Sequence, residues 1–156
     1  MSDPFENILP SGADTILTIS SLGNMLYQAR GLNQTLEVIG AATQLERTIN
    51  GVLKDFSAVQ FRKYASTISV PTETDAPPLD GLWPGMTVTV HCAVTLAYLT
   101  TGGNGPHNRS MVSGSDYVLG AYTFYRPVLE MIVRKVTTHF DEWKCIVGWT
   151  LELEEV

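Results

Sequence analysis

From Leu82 to Tyr98 the chain reads LWPGMTVTVHCAVTLAY, and this stretch decides the fold. From Met86 onward, apolar residues occupy every second position, and threonine, histidine and alanine lie between them. The alternation predicts one long β-strand with a buried and an exposed face, because successive side chains of a strand point in opposite directions. The preceding Trp83-Pro84-Gly85 predicts a turn, since proline fixes φ and glycine accepts a positive φ.

The C-terminal part of the chain repeats this pattern. Residues 128–138 alternate between apolar and polar side chains, and residues 143–153 place apolar side chains at successive odd positions. The two segments predict a long β-hairpin that turns at residues 139–142 and shares a core with residues 86–98. Cys92 and Cys145 both fall on apolar positions, which favours two buried, reduced thiols in one core layer over a disulfide.

Residues 43–57 fit two interpretations. A helix would align four apolar side chains, but Gly51 in its interior would cost about 1 kcal/mol. Asn50-Gly51 between alternating segments is a strong hairpin signal. We therefore predict a hairpin of residues 45–49 and 52–56.

The remaining segments complete an all-β prediction. Strands are expected at residues 13–20, 32–39, 61–70 and 117–125, the last with a bulge or kink at Gly120, and loops at residues 71–85 and 100–115. Residues 24–30 fit a strand or a helical turn. Seven to nine strands without a helix predict a single-domain antiparallel β-sandwich or barrel over residues 13–156. Residues 1–12, rich in chain breakers, are expected to form an extended N-terminal arm.

The composition excludes several kinds of partner. The 156 residues contain 10 Lys and Arg and 16 Asp and Glu, a net charge of −6, and an acidic surface disfavours sequence-specific binding of nucleic acid. No run of 18 apolar residues is present, so no membrane partner is expected. The first residues lack the pattern of a secretory signal, and we expect synthesis in the cytoplasm.

No motif predicts catalysis. The three histidines do not share a metal-binding spacing, and residues 102–106 lack the lysine and the helix of a phosphate-binding loop. Residues 113–116 are interpreted as a surface turn rather than a nucleophile elbow. We therefore predict a protein that is not an enzyme, with no catalytic residue, metal or cofactor. A glycosidase that uses Asp141 and Glu142 is the least supported alternative.

Several exposed positions suit contacts between subunits. The outward face of residues 86–98 is too polar for a core and too poor in charge for an ordinary surface. Tyrosine and arginine are enriched at interfaces, although an aromatic group can also form a sugar-binding platform. Glu152 and Glu154 are expected either to protect an exposed sheet edge or to contact a partner. The predicted interface residues are Thr87, Thr89, His91, Thr95, Trp83, Tyr122, Tyr125, Arg126, Glu152 and Glu154.

Parts of residues 45–156 resemble small structural proteins of tailed bacteriophages. The resemblance is carried by residues 47–53 and 61–69, residues 78–85 (PLDGLWPG), residues 125–131 (YRPVLEM), and residues 141–143 and 148–155. It implies a virion component of the tail, the head–tail connector or the capsid decoration, without enzymatic activity or cofactor. It also implies assembly with itself, as a ring or trimer, and with other virion proteins. The alternative function is a carbohydrate- or receptor-binding β-sandwich on a fibre or spike, motivated by Tyr117, Tyr122, Tyr125 and Trp83.

Overall fold

The structure, a computed structural model, describes residues 16–22, 31–39, 45–56, 62–73, 76–101 and 110–156. The predicted N-terminal arm at 1–12 and the ambiguous segment 24–30 lie outside the described residues. All regular structure in the described part is β-strand, as predicted. The strands are β1 Thr18–Ile19, β2 Asn33–Val38, β3 Leu45–Arg47, β4 Leu53–Asp55, β5 Tyr64–Glu73, β6 Thr87–His91, β7 Leu96–Leu99, β8 Ser110–Met111, β9 Tyr117–Leu119, β10 Tyr122–Tyr125, β11 Pro127–Asp141 and β12 Ile146–Glu155.

The main sheet is antiparallel and curls into a half-barrel, in agreement with the predicted sandwich or barrel class. Its strand order is β1-β6-β11-β12-β5-β2, and β8 pairs with the first residues of β11. A second sheet has the order β7-β10-β9, and β3 and β4 form a separate two-stranded sheet.

The core lies on the concave face of the main sheet. As predicted, alternate residues of β6 pack in the same cluster as alternate residues of β12. The buried members from these two strands and the residue after β6 are Val88, Val90, Cys92, Trp149, Leu151 and Leu153. Leu79 and Leu82, from the loop that precedes β6, are buried members of the same core.

The predicted long strand of residues 86–98 is in fact two strands in different sheets. β6 ends at His91 and β7 begins at Leu96, while the opposite chain passes from β10 to β11 through Arg126 alone. His91 pairs with Val128 and Leu96 pairs with Tyr125, so residues 92–95 lie opposite only residues 126–127. The two extra residues bend the ribbon, and because their number is even the sequence alternation continues through the bend.

Gln34 of β2 spans the interior of the half-barrel at this bend. The backbone N–H groups of Ala93 and Val94 donate to its Oε1 at 2.7 and 3.3 Å, and its Nε2 donates to Ser66 Oγ at 3.1 Å. The side chain thus connects the strand at one side of the curled sheet with the chain that leaves β6 near the other.

The C-terminal hairpin is longer than predicted, and its turn lies later. β11 continues to Asp141, and residues 142–145 form the turn, where Asp141 Oδ1 accepts from the N–H groups of Trp143 and Lys144 at 3.1 and 3.3 Å. Trp143 is 97% exposed, and Cys145 is exposed with a φ of 53°. The prediction that both side chains lie in the core is therefore wrong. Both cysteines are free, and only Cys92 is buried.

Other turns agree with the sequence to different degrees. The predicted hairpin at residues 45–56 is confirmed, with Gly51 at a φ of 79°. The Trp83-Pro84-Gly85 turn is confirmed by the Met86 N–H, which donates to Trp83 O at 3.1 Å. Gly120 is not a kink in one strand but part of the turn between β9 and β10. β5 also continues through Pro71 to Glu73, within the predicted loop 71–85.

Candidate functional site

The first candidate surface is the hairpin of residues 45–56, which we call the arm. It is a different segment from the predicted N-terminal arm of residues 1–12. No described strand outside the arm pairs with β3 or β4. All its residues except the half-buried Thr48 are exposed. Its large apolar side chains are Leu45, Ile49, Val52, Leu53 and Phe56, and each is at least half exposed, Ile49 at the tip completely. An isolated two-stranded hairpin is at best marginally stable in water, so the arm presents a surface that another protein could cover.

Short interactions hold the arm in shape. The Thr48 N–H donates to Val52 O at 2.9 Å, and Arg47 Nη1 donates to Gly51 O at 3.0 Å. At its base, Asp55 lies 3.5 Å from Arg62 in an ion pair. None of these interactions buries the apolar side chains of the arm.

The second candidate surface is a free edge of the main sheet. β6 pairs with β11 over Val128–Ile132, and the last contacts on this side join Val133 to Gly85 and Met86. Beyond Val133, no described strand pairs with this side of β11. We call this side of Arg134–Asp141 the open edge. Unpaired backbone groups at a sheet edge are a template for an added strand.

A pocket lies beside the open edge. It has a volume of about 260 Å³, and its lining residues are Leu79, Asp80, Leu82, Trp83, Pro84 and Val136. We call it the corner pocket. Asp80 is the only charged residue among the described residues that line it, and Trp83 is 69% exposed beside it. The pocket therefore offers an apolar cavity with one negative charge, continuous with an edge that can accept backbone hydrogen bonds.

The ten predicted interface residues do not lie together on one surface. Thr87, Thr89 and His91 share the outer face of β6, but Thr89 and His91 are half-buried. The Thr89 N–H donates to Ser20 Oγ at 3.0 Å, so β1 and the turn after it occupy the free edge of this strand. Thr95 lies in the bend after β6 and is half-buried. Trp83 is exposed in the turn before β6, beside the corner pocket.

Two of the predicted interface residues are buried within the chain. Tyr125 is 4% exposed and packs edge-to-face on Tyr98, with ring centroids 5.9 Å apart. Arg126 is 8% exposed, and its Nη1 donates to Ile16 O at 3.2 Å. Burial lowers the pKa of Arg126. Both side chains therefore hold the chain together at the bend and are not exposed for a partner to contact.

Glu152 and Glu154 do not lie at a sheet edge, so the prediction of edge protection is wrong. β12 is paired on both sides, with β11 and with β5. Glu152 lies between Lys135 and Thr67, and Glu154 forms an ion pair with Arg134 on the outer face. The sequence could not indicate this, because a C-terminal strand can lie at an edge or in the middle of a sheet.

The small sheet carries an aromatic face. Leu99, Tyr122 and Leu119 are cross-strand neighbours on this face, and Tyr117 stacks on Phe124 beside them with ring centroids 5.0 Å apart. Tyr122 is 53% exposed. Tyr125, which the sequence groups with these rings, belongs to the opposite face.

An open groove of about 330 Å³ crosses the outer face of the main sheet. Asn33, Ser69, Thr150 and Thr137 are cross-strand neighbours along it, and His139 lies beside Gly148 at one end. The amide and hydroxyl groups of Asn33, Ser69, Thr137 and Thr150 offer hydrogen-bonding partners along this groove.

The described residues contain no group of three or more His, Cys, Asp or Glu that could hold a metal ion. Burial raises the pKa of the Cys92 thiol to about 11, which keeps it protonated at neutral pH. The thiolate is the reactive form of cysteine, and the burial of Cys92 disfavours that form.

Sequence reasoning missed both the open edge and the exposure of the arm. The hairpin itself was predictable, but its exposure depends on three-dimensional packing, in which no other described strand lies beside it. The signal was available in part, because Leu45, Ile49, Val52, Leu53 and Phe56 place apolar side chains on both faces of the hairpin and at its tip.

Comparison of the chain with models of known protein families, with curated proteins and with solved structures finds no match. Within the described residues, no helix is both long enough and apolar enough to cross a membrane.

Proposed function

We propose that the chain is a structural component of a phage particle, a tail, connector or capsid-associated protein, and that it acts by assembling with copies of itself. The single observation that carries the self-assembly is the arm, whose apolar side chains are exposed on a hairpin that pairs with no other described strand. The placement in a phage particle rests on the sequence resemblance.

A second feature supports assembly. The arm and the open edge are different surfaces of the same chain, and each has groups that a neighbouring copy could satisfy. Contact between different surfaces of identical chains is heterologous, and it closes into a ring when the rotation between neighbours allows it. A ring or trimer is therefore the expected product.

Mass spectrometry of purified particles tests the proposed location. Particles released from a lysogen that carries the coding sequence are expected to contain the chain in multiple copies per virion. As a control, the same peptides are sought in host material purified in parallel without induction. Absence of the chain from particles whose other structural proteins are detected would contradict the proposed location.

The aromatic face favours carbohydrate or receptor binding on a fibre or spike as a second candidate. Exposed aromatic rings can pack against sugar rings, and Tyr122 lies beside the stacked Tyr117 and Phe124. A glycan array is expected to identify a ligand whose binding is lost in Tyr122→Ala. Val118→Ala, an exposed substitution on the opposite face of the same sheet, is the matched control. An array without any signal removes this candidate.

A further inference from the structure

We infer that the arm of one protomer adds to the open edge of β11 in a second copy, with Phe56 in the corner pocket and Lys54 beside Asp80. The inference rests on the proposed self-assembly and identifies the two surfaces that would make the contact. The occupant of the open edge is thus a second copy of this chain.

The dimensions of the two surfaces are compatible. Residues 52–56 would span roughly 17 Å and residues 134–141 roughly 27 Å at about 3.4 Å per residue. The open edge can therefore accept one whole strand of the arm. Main-chain hydrogen bonds would hold the strand, as in other cases of strand addition, and side chains would set its register.

The side chains of the arm match the corner pocket in polarity. Val52, Lys54 and Phe56 alternate with Leu53 and Asp55, so they project from one face of the hairpin. That face carries two apolar side chains with one positive charge between them. The described lining of the pocket is apolar apart from Asp80, so the arrangement places opposite charges together.

Charge reversal tests the pairing of Lys54 with Asp80. Sedimentation velocity on the full chain should show that Lys54→Glu and Asp80→Lys each weaken self-association on the order of tenfold, because like charges would then meet. The chain with both substitutions is expected to recover to within about twofold of the original. Glu37→Lys, on the outer face of β2, is the control and should leave association unchanged.

Neighbouring threonines of β11 test the open edge. Thr138 is cross-strand to Trp149 on the concave side and Thr137 is cross-strand to Thr150 on the outer side, and both are exposed. An inward-pointing lysine blocks strand addition. Thr138→Lys is therefore expected to abolish assembly, whereas Thr137→Lys should leave it intact, with circular dichroism showing that both variants fold.

The outcomes distinguish failure of the inferred contact from failure of the proposed self-assembly. If the original chain assembles but neither the charge reversals nor Thr138→Lys changes its association, the inference is wrong and self-assembly stands. If the original chain remains monomeric at every concentration, both are wrong. In a Cys145→Ser background, a disulfide between Lys54→Cys and Asp80→Cys that closes within one chain would also overturn the assignment to a second copy.

Discussion

At the scale of single residues, Gln34 joins distant parts of the curled sheet. Its side chain accepts from two backbone N–H groups at the bend and donates to Ser66. No other described strand satisfies these N–H groups at the bend, so a polar residue on the concave side of β2 replaces the missing ladder. The sequence showed only a weak alternation with Leu32 and Leu36, because a long-range hydrogen bond leaves no local pattern.

Replacement of Gln34 by alanine should therefore destabilise the fold. The two N–H groups would lose their acceptor, and an unpaired buried donor costs about 1–3 kcal/mol. Chemical denaturation is expected to show a loss of this size in the free energy of unfolding. Asn33→Ala, an exposed substitution next to it, should change stability by no more than about 0.5 kcal/mol. Equal effects of the two substitutions would show that the hydrogen bonds of Gln34 do not stabilise the curled sheet.

Cys92 predicts a specific dependence on pH. Burial raises the pKa of its thiol from 9.0 to about 11, so the unfolded chain releases this proton at lower pH than the folded chain. The free energy of unfolding should then fall as pH rises between these values, by about 2–3 kcal/mol from this group. The decline should be smaller by that amount in Cys92→Ala. A thiol reagent at pH 8 should modify Cys145 rapidly and Cys92 only after unfolding.

At the scale of strands, the periodicity of apolar residues predicted which segments form strands better than it predicted where those strands end. The all-β class, the shared core of β6 and β12 and the Asn50-Gly51 hairpin all followed from local patterns. Two breaks were missed because the alternation continued across them. The bend at residues 92–95 contains two extra residues, an even number, so the alternation is not interrupted. Before β12, the apolar residues at odd positions include Cys145 and Trp143, which lie in the turn. The alternation of apolar and polar residues therefore does not reveal where a strand ends or where it changes its partner strand.

Gly148 marks a close approach between β12 and β5. A Cβ atom at this position would lie 2.8 Å from Pro71 O, a backbone atom that cannot move aside without distorting its strand. Gly148→Ala should lower the free energy of unfolding by about 1–3 kcal/mol. Gly81→Ala is the matched control, since a Cβ there would have no neighbour within 4 Å. A thermal shift assay on both variants measures the difference, and a neutral Gly148→Ala would mean that the strands can separate at this point.

At the scale of the whole molecule, the chain combines a closed core with two surfaces that its described part leaves uncovered. The core depends on β5, β6, β11 and β12, whereas the arm contributes none of its side chains to it. A polar substitution at the fully exposed tip residue Ile49 should therefore leave the stability of the isolated chain nearly unchanged while it weakens contacts between chains. This separation of stability from association is what self-assembly through an arm requires.

Native mass spectrometry of the full chain and of Ile49→Asp tests the central claim of self-assembly most directly. The account predicts that the 17.1 kDa chain forms a trimer or a larger ring at micromolar concentration, whereas Ile49→Asp is folded but shifts towards the monomer. A chain that remains at 17.1 kDa at every concentration would contradict self-assembly. An oligomer that Ile49→Asp leaves unchanged would show that the tip of the arm does not take part in the contact.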